Sequence, residues 1–250
     1  MLTIRIIPCL DVRDGRVVKG IRFQGLKDAG SPSELAASYE NQGADEITLL
    51  DVSATPEGRS TALRTVRAVR EMLSIPLTVG GGVRTAEDAG ALLEAGADKV
   101  GVNTAAVERP ELLEEMATKF GCQCTVLAID AAFNGEHFEV VTLSGRKRTG
   151  LDAIAWAQSA ESFGAGEILL TSWDRDGTKS GYDLELISRI AEAVDVPIIA
   201  SGGAATPEHM AEAVKAGADA VLAASIFHYG EYTVNQLKIA LDGMGVEVRQ

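Results

Sequence analysis

Cysteine, histidine and basic residues are scarce in this chain, and each scarcity removes a class of function. Three cysteines, Cys9, Cys122 and Cys124, in 250 residues are too few and too irregular for a disulfide framework. Cys122-Gln-Cys124 has no second ligand pair to complete a zinc site, so all three read as reduced, structural thiols. The three histidines, His137, His209 and His228, stand apart without ligand spacing and read as surface or helix-end residues. Lysine and arginine number 23 against 36 acidic residues, a formal charge of −13. With no local basic block, that balance argues against a nucleic-acid surface. It also opposes an anionic substrate, so a phosphate site has to rely on backbone amides and helix ends. Long apolar runs are missing as well: hydrophobic residues make up 46% of the chain, but no uninterrupted run could cross a bilayer, and the N-terminus lacks a cleavable secretory pattern. A soluble, cytoplasmic protein without membrane contact, metal or cofactor is expected.

What is present is an alternation of short apolar strands and amphipathic helices. Arg5 to Asp11 is an apolar run ending on a carboxylate, followed by a polar, glycine-punctuated loop carrying Lys19. Ser31-Pro-Ser-Glu34 has the capping-box pattern with proline at the first helical position, which predicts a helix to about Gly43. Further strands are expected at 46–51, 76–82, 99–103, 124–130, 167–171, 197–203 and 219–223. Helices follow from about Ser60, after Thr85, near Pro110 and after Thr206-Pro207, with a final helix and tail over 226–250. Asn134-Gly135 marks a hairpin turn within the longer excursion from 131 to 150. Eight strand–helix pairs predict a parallel sheet closed into a (β/α)8 TIM barrel, a single domain over 1–250.

The two halves repeat. Pro76 and Pro197, Gly82 and Gly203, Gly96-Ala-Asp98 and Gly217-Ala-Asp219, Glu46 and Glu167, and Thr104 and Ser225 are each 121 residues apart; Asp11 and Asp130 are 119 apart. Chance likeness between glycine-rich units does not easily give five matches at one spacing, so the chain reads as a duplicated half-barrel with an internal two-fold repeat, about 1–122 and 123–250. Asp11 alone could be a turn residue. Paired with Asp130 across the mouth of a two-fold barrel, it reads as half of an acid and base pair. The glycine turns Gly80–Gly82, with Asn103-Thr104, and Ser201–Gly203, with Ala224-Ser225, would each suffice as tight turns. Two symmetric copies on one rim suggest a substrate with a phosphate at each end.

Strand alternation puts Arg5 on the face of Asp11, roughly 20 Å below it at about 3.3 Å per residue. Lys99 shares the face of Asn103, and Glu167 that of Thr171. With Glu46, the mate of Glu167, two cations and two anions ring the barrel floor. An ion-pair plug that stabilises the floor accounts for them.

Taken together, Cys-Leu-Asp11-Val-Arg-Asp-Gly-Arg-Val-Val-Lys19-Gly, Thr-Val-Gly-Gly-Gly82, Asn103-Thr-Ala-Ala-Val107, Ala-Ile-Asp130, Thr171-Ser-Trp-Asp-Arg-Asp176-Gly-Thr-Lys-Ser-Gly and Ala-Ser-Gly-Gly203 resemble the cyclase subunit family of imidazole glycerol phosphate synthase over essentially the whole chain. Pro8, where alanine is usual, Trp173, in a variable position, and Gly101, where the family can carry serine, are small departures. The resemblance implies a histidine-biosynthesis lyase. It closes the imidazole ring from ammonia and a bisphosphorylated ribulosyl formimino carboxamide ribotide (PRFAR), and releases imidazole glycerol phosphate and an aminoimidazole carboxamide ribotide (AICAR). It implies Asp11 and Asp130 as catalytic acids, Asp11 the more critical. Lys19 would lie on a loop that closes over substrate, with Gly20, Gly25 and Gly30 giving it freedom. Gly82, Asn103 and Thr104 would hold one phosphate; Asp176, Gly177, Gly203, Ala224 and Ser225 would hold the other, with Thr171 and Ser201 in the same substrate set. The ring of Arg5, Glu46, Lys99 and Glu167 would gate ammonia from a glutaminase subunit docked on the floor, near Asp98, in a heterodimer. The sister isomerase acting one step earlier on a related bisphosphate, and a non-catalytic scaffold that activates a glutaminase, are the alternatives.

Overall fold

The computed structural model describes residues 3–21, 24–58 and 61–249. In chain order the first half contains β1 (Arg5–Arg13), β2 (Arg16–Ile21), β3 (Gln24–Gly30), α1 (Pro32–Asn41), β4 (Ile47–Asp51), α2 (Ala54–Glu57), α3 (Leu63–Arg70), β5 (Leu77–Gly80), α4 (Ala86–Glu94), β6 (Lys99–Val102), α5 (Thr104–Glu108) and α6 (Glu111–Phe120). After a 3-10 turn at Cys122–Cys124 the second half contains β7 (Thr125–Phe133), β8 (Phe138–Thr142), β9 (Lys147–Asp152), α7 (Ala153–Ser162), β10 (Glu167–Ser172), α8 (Leu184–Ala191), β11 (Ile198–Ser201), α9 (Pro207–Lys215), β12 (Ala220–Ala223), α10 (Ser225–His228) and α11 (Val234–Gly243).

β1, β4, β5, β6, β7, β10, β11 and β12 pair in parallel in that order, and β12 returns to β1 through Arg5–Ala220 and Ile7–Leu222. The sheet therefore closes on itself as an eight-stranded barrel. Alternation along β1 separates two apolar regions. Ile6 and Leu10 point outward into the layer beneath the helices. Ile7 and Cys9 point into the bore, where they pack with Val126, Leu169, Ile199 and Leu222.

Hydrogen bonds outside the barrel ladder follow the 121-residue repeat. Asp98 Oδ2 accepts from the Leu77 amide at 2.8 Å, and Asp219 Oδ2 from the Ile198 amide at 2.9 Å. Glu40 accepts from the Ser74 amide and Glu161 from the Asp195 amide. Thr85 and Thr206 cap α4 and α9, each accepting from the amide three residues on. These side chains occupy donors that β-strand and helix ends leave open, so the duplication is preserved where the backbone needs partners.

Several sequence expectations are corrected. The segment after β1 is a hairpin, β2–β3, and not a loop. Arg13 pairs with Arg16 across Asp14-Gly15, whose φ values of 52° and 75° match the tight hairpin turn that Asp-Gly favours. It is the counterpart of β8–β9, which leaves β7 as β2–β3 leaves β1. Gly20 and Gly25 thus lie within strands. The Ser31–Glu34 capping box does not form: Ser31 sits at the N-cap without a side-chain cap bond, and its hydroxyl pairs with Ser33 Oγ at 3.1 Å instead. The helix expected from about Ser60, a residue outside the described set, begins at Leu63, after the short α2. Asn103 ends no strand but precedes α5. The final segment holds two helices, and its tail returns to the floor, where Val248 bridges Ile4.

Candidate active site at the C-terminal mouth of the barrel

The C-terminal ends of the eight strands surround one pocket. Asp11, Gly82, Asn103, Thr104, Asp130, Thr171, Asp176, Gly177, Ser201, Gly203, Ala224 and Ser225 all line it. Every sequence-derived mouth residue among them therefore meets in one cavity, although they lie more than 200 positions apart. Lys19 belongs to β2, pairing with Lys27, but its side chain lies outside the described residues. Among the described residues, no cluster of three His, Cys, Asp or Glu side chains could hold a metal ion.

The two acids sit in different surroundings. Asp11 is buried, and Cys9 Sγ lies 3.5 Å from its Oδ1. Asp130, with part of its surface open to the pocket, receives Asn103 Nδ2 at 3.1 Å on its Oδ2. Burial, above all, and the nearby charge of Asp176 push its pKa from an ordinary 3.8 up to about 7; Asp11 adds a smaller push, while the Asn103 amide and Thr171 hydroxyl pull the other way. At neutral pH Asp130 is therefore poised to give or take a proton.

That shift carries a stability signature. The folded chain keeps the proton up to about pH 7, whereas an unfolded aspartate loses it near 3.8. Across that window the folded state binds more protons, so Asp130 makes stability fall as pH rises from about 4 to 7. Asp130→Asn removes this loss. Urea unfolding is expected to show the variant gaining on the parent as pH goes from about 4 to 7; a constant difference would mean that Asp130 titrates normally.

The glycine turns show why their residue type matters. A Cβ at Gly81 would overlap the carbonyl of Asp51, and one at Gly203 the carbonyl of Gly181. Both also have left-handed φ, 96° in each case. The Gly82 amide, read from sequence as a phosphate donor, here donates to Thr55 Oγ1 at 3.0 Å. The Asn103 side chain makes no cap on α5; it bridges Asp130 and the Val141 carbonyl. Cys9, Thr55 and Ser144 line the same pocket and were missed as site residues. Strand parity with Asp11 could have found Cys9; nothing local marks the other two.

At the opposite end, the predicted ring forms. Arg5 donates to Glu46 at 3.1 Å and Glu167 at 2.6 Å, while Lys99 donates to Glu46 at 2.9 Å and Glu167 at 2.7 Å. Each cation bridges both anions, closing the floor. Asp98, one residue before Lys99, is exposed and paired with Arg70 at 2.8 Å. His228 is the helix-end residue expected, closing α10; it is half-buried, and its Nδ1 lies 2.6 Å from the hydroxyl of Tyr39.

A model of a family described as histidine biosynthesis protein matches residues 5–233. The chain is 56% identical over 255 residues to the imidazole glycerol phosphate synthase subunit HisF of Corynebacterium diphtheriae. It is 57% identical over 250 residues to the subunit of the same name from Pyrobaculum aerophilum; both alignments cover 99% of each chain. Likeness at that level and length leaves no part of the barrel unaccounted for, and the chain belongs to the histidine-biosynthesis family, among the HisF, or cyclase, subunits of imidazole glycerol phosphate synthase.

Proposed function

We propose that this barrel, a single domain built from two half-barrels, converts PRFAR and ammonia to imidazole glycerol phosphate and AICAR. The observation that carries the chemistry is the pair of acids, Asp11 and Asp130, in one pocket, with Asp130 raised to about 7. Ammonia attacks the ribulosyl carbonyl of PRFAR, and one nitrogen proton passes to the carbonyl oxygen to give a carbinolamine. Asp130 supplies the second proton, with which that oxygen leaves as water, and Asp11 takes up the second proton shed by the nitrogen, giving the imine. The same two groups then move protons while the bond to the departing AICAR breaks and the imidazole ring closes. Gly82, Asn103 and Thr104 serve one phosphate, and Asp176, Gly177, Gly203, Ala224 and Ser225 the other, with Thr171, Ser201 and Lys19 completing the substrate set.

As a subunit of a larger synthase, the chain takes its ammonia from a glutaminase partner of the HisH type. We place that partner on the barrel floor beside Asp98, with Arg5, Glu46, Lys99 and Glu167 as the gate through which ammonia enters the bore. A cytoplasmic location suits both metabolite substrates. Absorbance at the PRFAR band, followed first with ammonium salt and then with glutamine plus a glutaminase subunit, tests the whole reading. Turnover of PRFAR without any ammonia source would point to the sister isomerase, and inactivity with ammonium to a scaffold. In the same assay, Lys99→Ala is expected to lower glutamine-dependent turnover at least tenfold more than ammonium-dependent turnover. Equal losses would return the ring to an ion-pair plug.

A further inference from the structure

The turn that joins β8 to β9 is strained and tied to the opposite half of the barrel. Leu143 and Ser144 both have φ of 55°, and Gly145 follows at 77°. Left-handed backbone is unfavourable for a non-glycine residue, so two in succession persist only where surrounding contacts hold them. Both holding bonds reach the first half. The Leu143 amide donates to Thr104 Oγ1 at 3.1 Å, and Ser144 Oγ donates to the Val52 carbonyl at 3.2 Å. The ring of Trp173 fills the space that a Cβ on Gly145 would need, and Asn103 Nδ2 contacts the Val141 carbonyl at 3.3 Å, just before the turn. Ser144 itself lines the pocket, together with Val52, Thr55, Gly82 and Thr104.

The bond from Leu143 matters for the chemistry of Thr104. A hydroxyl has one proton and two acceptor positions. With the Leu143 amide occupying one acceptor position, the Thr104 proton remains available as a donor on the pocket wall, the role that an anion needs.

We propose that the Leu143–Gly145 turn is a specificity element of the phosphate site formed by Gly82, Asn103 and Thr104. The second half of the barrel supplies it to the first half's site. It holds the Thr104 hydroxyl as a phosphate donor, and the Ser144 tether to Val52 sets how far that end of the pocket extends. The inference rests on the bisphosphate reading above.

Ser144→Gly tests it, because glycine removes the tether while relieving the backbone strain. A turn that served stability alone would become neutral or better. The expected result is a rise of roughly tenfold in the KM for PRFAR, with kcat within about twofold and an unchanged or higher Tm. Titration of the purified chain with inorganic phosphate should show one of two binding events weakened by a similar factor and the other untouched. Thr104→Val is expected to weaken the same event, and the double variant should be no worse than Thr104→Val alone. Unchanged KM and phosphate binding in Ser144→Gly, additive losses, or a KM rise accompanied by a lowered Tm would each overturn the proposal. Failure of the parent chain to turn over PRFAR sinks only the bisphosphate reading, since the phosphate titration does not depend on turnover.

Discussion

Asp11→Asn should lower turnover of PRFAR with ammonium salts by about 10³-fold, within the range general acid–base catalysis contributes, and leave KM within a few-fold of the parent. Asparagine keeps the shape and volume of the side chain, so the buried position stays filled. It cannot carry a proton between substrate atoms. The glycine turns proposed to hold the phosphates follow other strands, which is why binding and chemistry should separate. Asp130→Asn is expected to be less severe because its neighbours, Asp176 and Thr171, remain in the same pocket. Steady-state kinetics with saturating ammonium at constant pH measures the split. Retained turnover in Asp11→Asn would remove this residue from the mechanism.

The second large effect lies at the floor. Glu46→Ala is expected to cost about 3–5 kcal/mol of unfolding free energy, the usual penalty for breaking a buried charge pair from one side. The Glu46 side chain is 2% exposed and accepts from Arg5, Lys99 and the Thr78 hydroxyl. Without it, two cations share the single carboxylate of Glu167 in a site with little water. Glu46→Gln should cost less, since an amide oxygen can still accept from Thr78. A surface pair gives the contrast: Glu87, 79% exposed and 3.6 Å from Lys119, is screened by solvent and should change the midpoint little when replaced by alanine. Urea denaturation of the three variants decides the matter, and equal midpoints for Glu46→Ala and Glu87→Ala would contradict the closed ring.

The twin hairpins illustrate how legibility varies within one repeat. Asn134-Gly135 announces β7–β8 because it separates two largely apolar runs, 125–133 and 138–142. Asp14-Gly15 is an equally good turn signal, but it lies in a run of polar and basic residues, where alternation is masked and the strand partner is only two residues away. The Ser31 capping pattern failed for a related reason: a second serine within reach competes for the hydroxyl, and the pattern does not rank the competitors. The Asn103-Thr104 segment beside the Gly80–Gly82 turn places Asn103 at the mouth, but does not reveal its partner there. Its bond to Asp130 crosses 27 residues and depends on the neighbouring strand.

By itself, the sequence determined the features that period and spacing dictate. Eight apolar runs alternating with amphipathic helices allow few topologies other than a closed parallel barrel. The internal repeat, offset by 119 residues at this point, pairs Asp11 with Asp130, and strand parity assigns Arg5 and Lys99 to the bore, because side chains on a strand alternate with a period of two. Tertiary structure alone decided which groups touch. Thr55 accepts from the amide of Gly82, Thr104 from the amide of Leu143 and Asp130 from Asn103, and Asp130 rises to about 7 while Asp11 rests beside Cys9. Those outcomes depend on the stagger between adjacent strands, on desolvation and on competition among several donors for one acceptor, all of which are set by residues far apart in the chain.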